Sequence, residues 1–232
     1  MSDEQAQRLG AEVAGFVAPP SPGPASIEGR FMRLERLEPA RHADDLFAAN
    51  GDDRAMWDYL AEGPFTDLAH YRDWADRAAA SRDTVFYAIR DLARDRAVGV
   101  ASYLNIVAQD GRIEIGNLAF SPLLRRQPAA SEAIIAMIGW AFDAGYRRVE
   151  WKCHALNEPS VQAALRFGFT PEGVFRQHMV RRGRNRDTAW FSIIDAEYPA
   201  LREQYRNWLS PANFTDDGQQ VTSLRKMIAP EA

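Results

Sequence analysis

The sequence predicts a mixed α/β fold, a mixed sheet with helices on its faces, on three grounds. Segments with the two-residue period of strands occur before, between and after segments with the helical period. The 232 residues are 46% hydrophobic and 11% aromatic, which suffices for the core of one large domain, or of one ordinary domain with extensions. A single cysteine, Cys153, excludes an intrachain disulfide framework and a multi-cysteine metal site, so packing must hold the chain together.

Residues 1–28 read as a peripheral arm: Pro19, Pro20, Pro22 and Pro24 with Ser21 and Gly23 can hold neither a helix nor a central strand. The organised domain spans 29–198. Phe31 to Leu37 alternates apolar and charged residues, a half-buried strand. Pro39 opens a helix through Leu46 and Phe47, an aromatic loop follows from Trp57 to Phe65, and Thr66 or Asp67 caps a second helix with Tyr71, Trp74 and Ala78 on one face. Strands are expected at Val85–Ile89, Ala97–Ile106 and Arg112–Phe120, with turns at Arg94-Asp95 and Asp110-Gly111. A helix runs from about Pro128 to Ala144, stopped by Gly145, then a strand from Val149 to Cys153 and a helix from about Pro159 to Phe167, closed by Gly168. Two late strands, near Val174–Arg181 and Thr188–Asp195, flank the turn Arg182–Asn185. Residues 199–232 form an extension with a short amphipathic helix carrying Leu201, Tyr205, Trp208 and Leu209.

The 28 basic and 32 acidic side chains leave a formal charge of −4, which argues against nucleic acid or an anionic membrane as partner. No apolar run approaches the ~20 residues needed to span a bilayer, and Asp3 and Glu4 stand where a signal peptide would carry basic residues. The expectation is a soluble protein of a reducing compartment, the cytoplasm. His42, His70, His154 and His178 lack metal-ligand spacing and read as structural or solvated. The one basic cluster, Arg176, Arg181, Arg182, Arg184 and Arg186, reads as a solvated hairpin. Cys153 reads as core.

The stretch from Glu114 to Ala133 carries the chemistry. It is a strand, a basic loop with Arg125 and Arg126, and a helix start at Pro128-Ala129-Ala130-Ser131. Unpaired N–H groups at a helix N-terminus bind phosphate, and arginines just before it add charge, so the arrangement suits a diphosphate. An ordinary βα connection with solvated arginines is the alternative.

Arg125-x-x-Pro128-x-Ala130 resembles the acetyl-CoA motif of the GNAT N-acetyltransferase superfamily. Asn157-Glu158-Pro159-Ser160 and Leu165-Arg166-Phe167-Gly168-Phe169 resemble its Asn-x-x-Ser helix and Gly-Phe exit. Trp57, Gly63-Pro64-Phe65, Glu172–Arg176 and Arg184–Asp195 resemble the RimJ/RimL-type branch. The likeness covers about Gly29 to Asp195. It implies a seven-stranded mixed sheet splayed at its middle, and transfer of an acetyl group from acetyl-CoA, as co-substrate and without metal, to a primary amine on a protein N-terminus or small molecule. A homodimer is compatible with it, as is a catalytically weak acyl-CoA-binding module of the same fold. Pro128 departs from the family's usual glycine and removes one N–H donor, yet proline suits a first helical turn.

Amide formation needs a neutral amine, so a carboxylate must take its proton directly or through water. The resemblance places Glu114 at the family's base position; a surface carboxylate facing Arg112 is the competing role. Lys152 occupies the position where other members carry a second carboxylate, next to Glu150. The family's tyrosine at the leaving thiolate is here Ala164, so the resemblance passes that role to Ser160, which could equally be a helix cap. It further implies coenzyme contacts from Asn157, from the backbone of Leu118, Ala119 and Phe120, and from Arg125, Arg126, Pro128, Ala129, Ala130 and Ser131. Trp57, Tyr59 and Phe65 are read equally as an acceptor wall or as packing.

Overall fold

Strands form where apolar and polar residues alternate, and eight of them make one sheet. In a computed structural model describing residues 9–229, these are β1 (Ser26–Glu28), β2 (Met32–Arg36), β3 (Val85–Asp91), β4 (Arg96–Val107), β5 (Arg112–Phe120), β6 (Arg148–His154), β7 (Thr170–Arg181) and β8 (Arg184–Ile194). Their order is β1-β2-β3-β4-β5-β6-β8-β7. Every neighbouring pair is antiparallel except β5–β6, whose parallel pairing requires a crossover helix. That helix is α3 (Pro128–Asp143); the others are α1 (Pro39–Asn50), α2 (Leu68–Ala79), α4 (Glu158–Arg166), α5 (Tyr198–Leu209) and α6 (Leu224–Ile228).

Alternation along the central strands feeds two cores. Tyr87 and Ile89 of β3, with Val98, Ala101 and Tyr103 of β4, pack with α3; Ala88, Ala97 and Val100 join α1 and α2. The α3 side is the larger, because Ala133, Ile134, Met137, Ile138 and Ala141 are all fully buried. No helix among the described residues is long and apolar enough to cross a membrane.

The structure amends the sequence expectations in four places. The sheet has eight strands rather than seven, because Ser26–Glu28, assigned to the arm, pairs with Arg33–Glu35. The rest of the described arm is tied down: Tyr146 Oη donates to Pro20 O (3.0 Å), Tyr87 Oη to Pro24 O (3.1 Å), and Arg36 to Pro22 O. Strand β7 starts four residues before the expected Val174, and β8 starts at Arg184, since the hairpin pairs right up to its turn. The extension is core as well: Tyr198, Tyr205, Trp208 and Leu224 are buried, and Tyr205 Oη donates to Phe167 O at 2.5 Å. Residues 1–8 of the arm and 230–232 of the extension lie outside the described residues.

Candidate active site

Strands β5 and β6 pair only at Arg112↔Arg148, Ile113↔Val149 and Glu114↔Glu150. Both strands continue past that point, to Phe120 and to His154, without pairing to each other. The cause lies on the other side of β5. From Val100 to Ser102, β4 advances two residues while β5 advances three, Ala119 to Gly116, and Asn117 adopts φ 50°. Asn117 Nδ2 donates to Ser102 Oγ (2.9 Å), which donates to Gly116 O (3.1 Å). A bulged strand bends and twists, so β5 leaves β6 here. Residues Ile115–Phe120 keep β4 on one side and, among the described residues, have no strand partner on the other, where an extended chain can join, the Phe120 carbonyl alone being taken by Arg125 Nε.

A charged cluster sits where the strands part. Glu114, 5% exposed, accepts at Oε2 from Lys152 Nζ (2.6 Å) and Asn105 Nδ2 (2.6 Å), and its Oε1 takes no protein hydrogen bond among the described residues. Burial pushes the Glu114 carboxyl above the ordinary range, while Lys152 and Asn105 pull it down and Glu150 pushes it up. This corrects the surface role facing Arg112. Lys152 is the ion-pair partner of Glu114. Beside it, Glu150 accepts from Arg148 Nε (2.9 Å), and its buried Oε2 makes no hydrogen bond, with Arg112 at 3.8 Å and Lys152 at 3.9 Å.

The basic loop leads from the open edge into α3. Pro128 stands in the first turn, the preceding Gln127 makes no side-chain cap, and Ala129, Ala130 and Ser131 are buried. The first-turn amides therefore lack a side-chain acceptor. Arg125 is engaged already: Nε donates to Phe120 O (3.1 Å) and its guanidinium pairs with Asp53. Arg126 is exposed, at φ 63°, with no carboxylate within 4.0 Å among the described residues. Arg166, which is not among the expected coenzyme contacts, is a half-buried cation whose Nη2 donates to Ser131 Oγ at 2.9 Å and which has no carboxylate partner among the described residues. Its location in the last turn of a helix beside Gly168 was the one available signal.

Asn157, not Ser160, caps α4: its Oδ1 accepts from Ser160 N at 3.3 Å, and its NH2 has no protein acceptor among the described residues. Ser160 Oγ accepts from Trp151 Nε1 at 3.0 Å. It lies beside the Cys153 thiol, whose pKa burial raises and Ser160 opposes. Ala164 is fully buried.

The three aromatics of the α1–α2 connection separate. Trp57 is 5% exposed and packs edge-on to Phe65, which packs in turn on Tyr71 and Trp74. The Trp57 ring lies so close to Gly63 that a Cβ there would fall 2.3 Å from it, and Gly63 also has φ 79°. Trp57 is thus packing, contrary to a role as an exposed wall. Tyr59 is 41% exposed, donates to Leu156 O (3.1 Å) and meets His154 edge-on. Arg182 Nη2 reaches across to the carbonyls of Leu60 and Gly63, at 3.1 and 2.8 Å. Among the described residues no group of three or more His, Cys, Asp or Glu could hold a metal.

A splayed sheet, an open strand edge and a helix N-terminus thus lie together at the end of β5. The model of the acetyltransferase (GNAT) domain matches residues 32–170. The chain belongs to the GNAT acetyltransferases. Among solved structures, this acetyltransferase is similar to a GCN5-related N-acetyltransferase from Brucella melitensis, at 43% identity and TM-score 0.90, over 93% of this chain and 99% of that one. An uncharacterized N-acetyltransferase, p20, from Bacillus licheniformis is 28% identical over 72% of this chain and 93% of its own length. RimL, a ribosomal L7/L12 α-N-protein acetyltransferase, shares the fold at TM-score 0.63 and 21% identity, over 72% of this chain and 91% of that one.

Proposed function

We propose that this acetyltransferase moves the acetyl group of acetyl-CoA directly to a primary amine in a ternary complex, with Glu114 as proton acceptor. The observation that carries the proposal is the location of Glu114: a buried carboxylate, held by Lys152 and Asn105, where the open edge of β5 begins. A raised pKa makes it a better base than an exposed glutamate, and its Oε1 remains available to an amine or a water. The backbone of Leu118, Ala119 and Phe120 binds the extended arm of the coenzyme as an added strand and polarises the acetyl carbonyl. Ala129 offers a first-turn amide to its diphosphate, Ala130 N–H being engaged by Gln127 O (3.1 Å) and Ser131 lining the same turn through its side chain, with Arg126 and Arg166 as the available charges and Arg125 once it leaves Asp53. Pro128 gives up one donor but fixes the turn that aims the others.

When the amine attacks, its proton passes to Glu114 and the thiolate departs. Ser160 donates to that thiolate: Trp151 occupies an acceptor lone pair, and the hydroxyl hydrogen can turn from the neighbouring Cys153 toward the sulfur. Asn157 contributes its NH2 to the coenzyme, and Tyr59 borders the acceptor. The RimJ/RimL-type resemblance makes a protein N-terminus one acceptor class, and small amines are the other.

Thiol release from acetyl-CoA across a panel of peptides and small amines tests the proposal. Glu114→Gln is expected to keep coenzyme binding and to lose ~10²–10⁴-fold in turnover at neutral pH. Full activity of Glu114→Gln from pH 6 to 9 would remove Glu114 from the mechanism.

A further inference from the structure

Residues directly paired across strands share a face of a sheet, and so do alternate residues along one strand. Glu114 pairs with Glu150, Glu150 with Ser192, Lys152 with Trp190 and His154 with Thr188. One face therefore carries the catalytic carboxylate, its lysine and the even-numbered residues of β8. Arg186, two residues before Thr188, belongs to the same row.

The charges on this face are matched with one exception. Lys152 is held by Glu114, and Arg148 by Glu172 (2.7 Å) and Glu150. Arg186 has no carboxylate within 4.0 Å among the described residues, and its Nε is buried without a hydrogen bond. Burial pushes its pKa down and the neighbouring Arg181 adds to that, while Glu114 lies near enough to push it up. By strand alternation the Arg186 side chain stands on the same face of the sheet as Glu114. Trp190 supplies a second buried donor without an acceptor, its Nε1, while its ring carries the Lys152 ammonium at 4.2 Å. His178, bonded to Thr188 at 2.9 Å, and Phe175 border an open depression of about 630 Å³ beside them. Of the five arginines read as a solvated hairpin, Arg182 ties down the Leu60–Gly63 loop and Arg186 turns inward.

Arg186 is half-buried and its Nε is shut off from water without an acceptor among the described residues, whereas buried donors are nearly always satisfied in folded chains. An unpaired guanidinium with one buried, unsatisfied donor, on the face that carries Glu114, suits an anion brought by a ligand. We infer that Arg186, with the Trp190 indole N–H as a second donor, receives a carboxylate of the acceptor, so that the preferred substrates are amines carrying a carboxylate near the amino group. The inference rests on the acetyl transfer proposed above and narrows its acceptor class.

The test compares each amino acid with its carboxamide, rates being referred to the neutral amine, in the wild type and in Arg186→Gln and Arg186→Met. The wild type is expected to favour the carboxylate by ~10–100-fold in kcat/KM, the worth of a charge-assisted contact. Both variants should lose that preference through KM while keeping turnover of the carboxamides and affinity for the coenzyme. Their melting temperatures should hold, because the Arg186 side chain makes no hydrogen bond or ion pair among the described residues. Equal losses on both members of each pair, or a lowered melting temperature with preference intact, would make Arg186 a structural residue and overturn the inference. A thermal-shift arm separates this outcome from failure of the transfer itself. Stabilisation of the wild type but not of the variants by the carboxylate ligands, without turnover of any amine, would uphold the anion site and sink the catalytic proposal. Absence of both would sink the two together.

Discussion

Replacing Lys152 by methionine should move the acidic limb of the pH–rate profile, and the structure sets the size of the move. Lys152 Nζ lies 2.6 Å from Glu114 Oε2, and both side chains are shielded from water. In an effective dielectric of ~20 the gross attraction at that distance is about 6 kcal/mol. Desolvation of both groups offsets much of it, and the ordinary consequence of one close counter-charge is a shift of ~1–3 pKa units. Burial already holds the Glu114 pKa up and Lys152 opposes it, so removing Lys152 raises the carboxyl further. The limb set by Glu114 in kcat/KM should therefore rise by ~1–3 units. The free amine also titrates, so the assay needs two acceptors of different amine pKa. The limb belonging to the amine follows the acceptor, and the limb belonging to Glu114 follows the mutation. Stability has a matching sign. A carboxyl whose folded pKa lies above its unfolded value favours the folded chain at low pH and loses that advantage as pH rises, so Lys152→Met should cost more in melting temperature at pH 8 than at pH 5. A limb unmoved by Lys152→Met, with a lowered plateau, would refute the assignment of Glu114 as the titrating base.

Arg126→Ala and Arg166→Ala should each weaken coenzyme A binding by ~10–100-fold in calorimetry, whereas Arg125→Ala should cost less because Arg125 must first leave Asp53. Deleting residues 1–25 removes the carbonyl acceptors of Tyr146, Tyr87 and Arg36, so the chain should still fold but melt ~5–10 °C lower, from about 2–3 kcal/mol of lost hydrogen bonding. Glu132 accepts from the backbone N–H groups of Arg30 (2.7 Å), Phe31 (2.7 Å) and Met32 (3.2 Å), and Gly29 is packed so tightly on it that a Cβ would lie 2.6 Å from the carboxylate. Glu132→Gln turns an NH2 against those donors and should cost ~2–4 kcal/mol in denaturant unfolding.

The elements were legible where a local period decides them, and the misses share a physical origin. Helix α3 announces itself by its apolar spacing, by Pro128 in its first turn and by Gly145 beyond its end. Strand β1 is only three residues long and follows four prolines, so nothing local marks it; its pairing with β2 alone makes it a strand. Pro171 and Gly173 hid the start of β7, which tolerates them because it is an edge strand with a register shift at that point. The site divides along the same line. Glu114 can be placed on a strand beside a coenzyme loop by its sequence neighbours, but its protonation chemistry depends on Lys152 and Asn105, and only the strand order brings those to it. Asn105 reaches it through a left-handed backbone turn inside β4, φ 46°, for which the sequence offers no more than an asparagine. The arginine hairpin makes the point most sharply. By composition its five cations are equivalent; strand alternation gives Arg186 the face of Glu114 while Arg181 stays in water. Period tells a residue which face it occupies, but charge chemistry is set by what stands on the neighbouring strand, and in this fold that neighbour is chosen by a parallel pairing that ends after three residues.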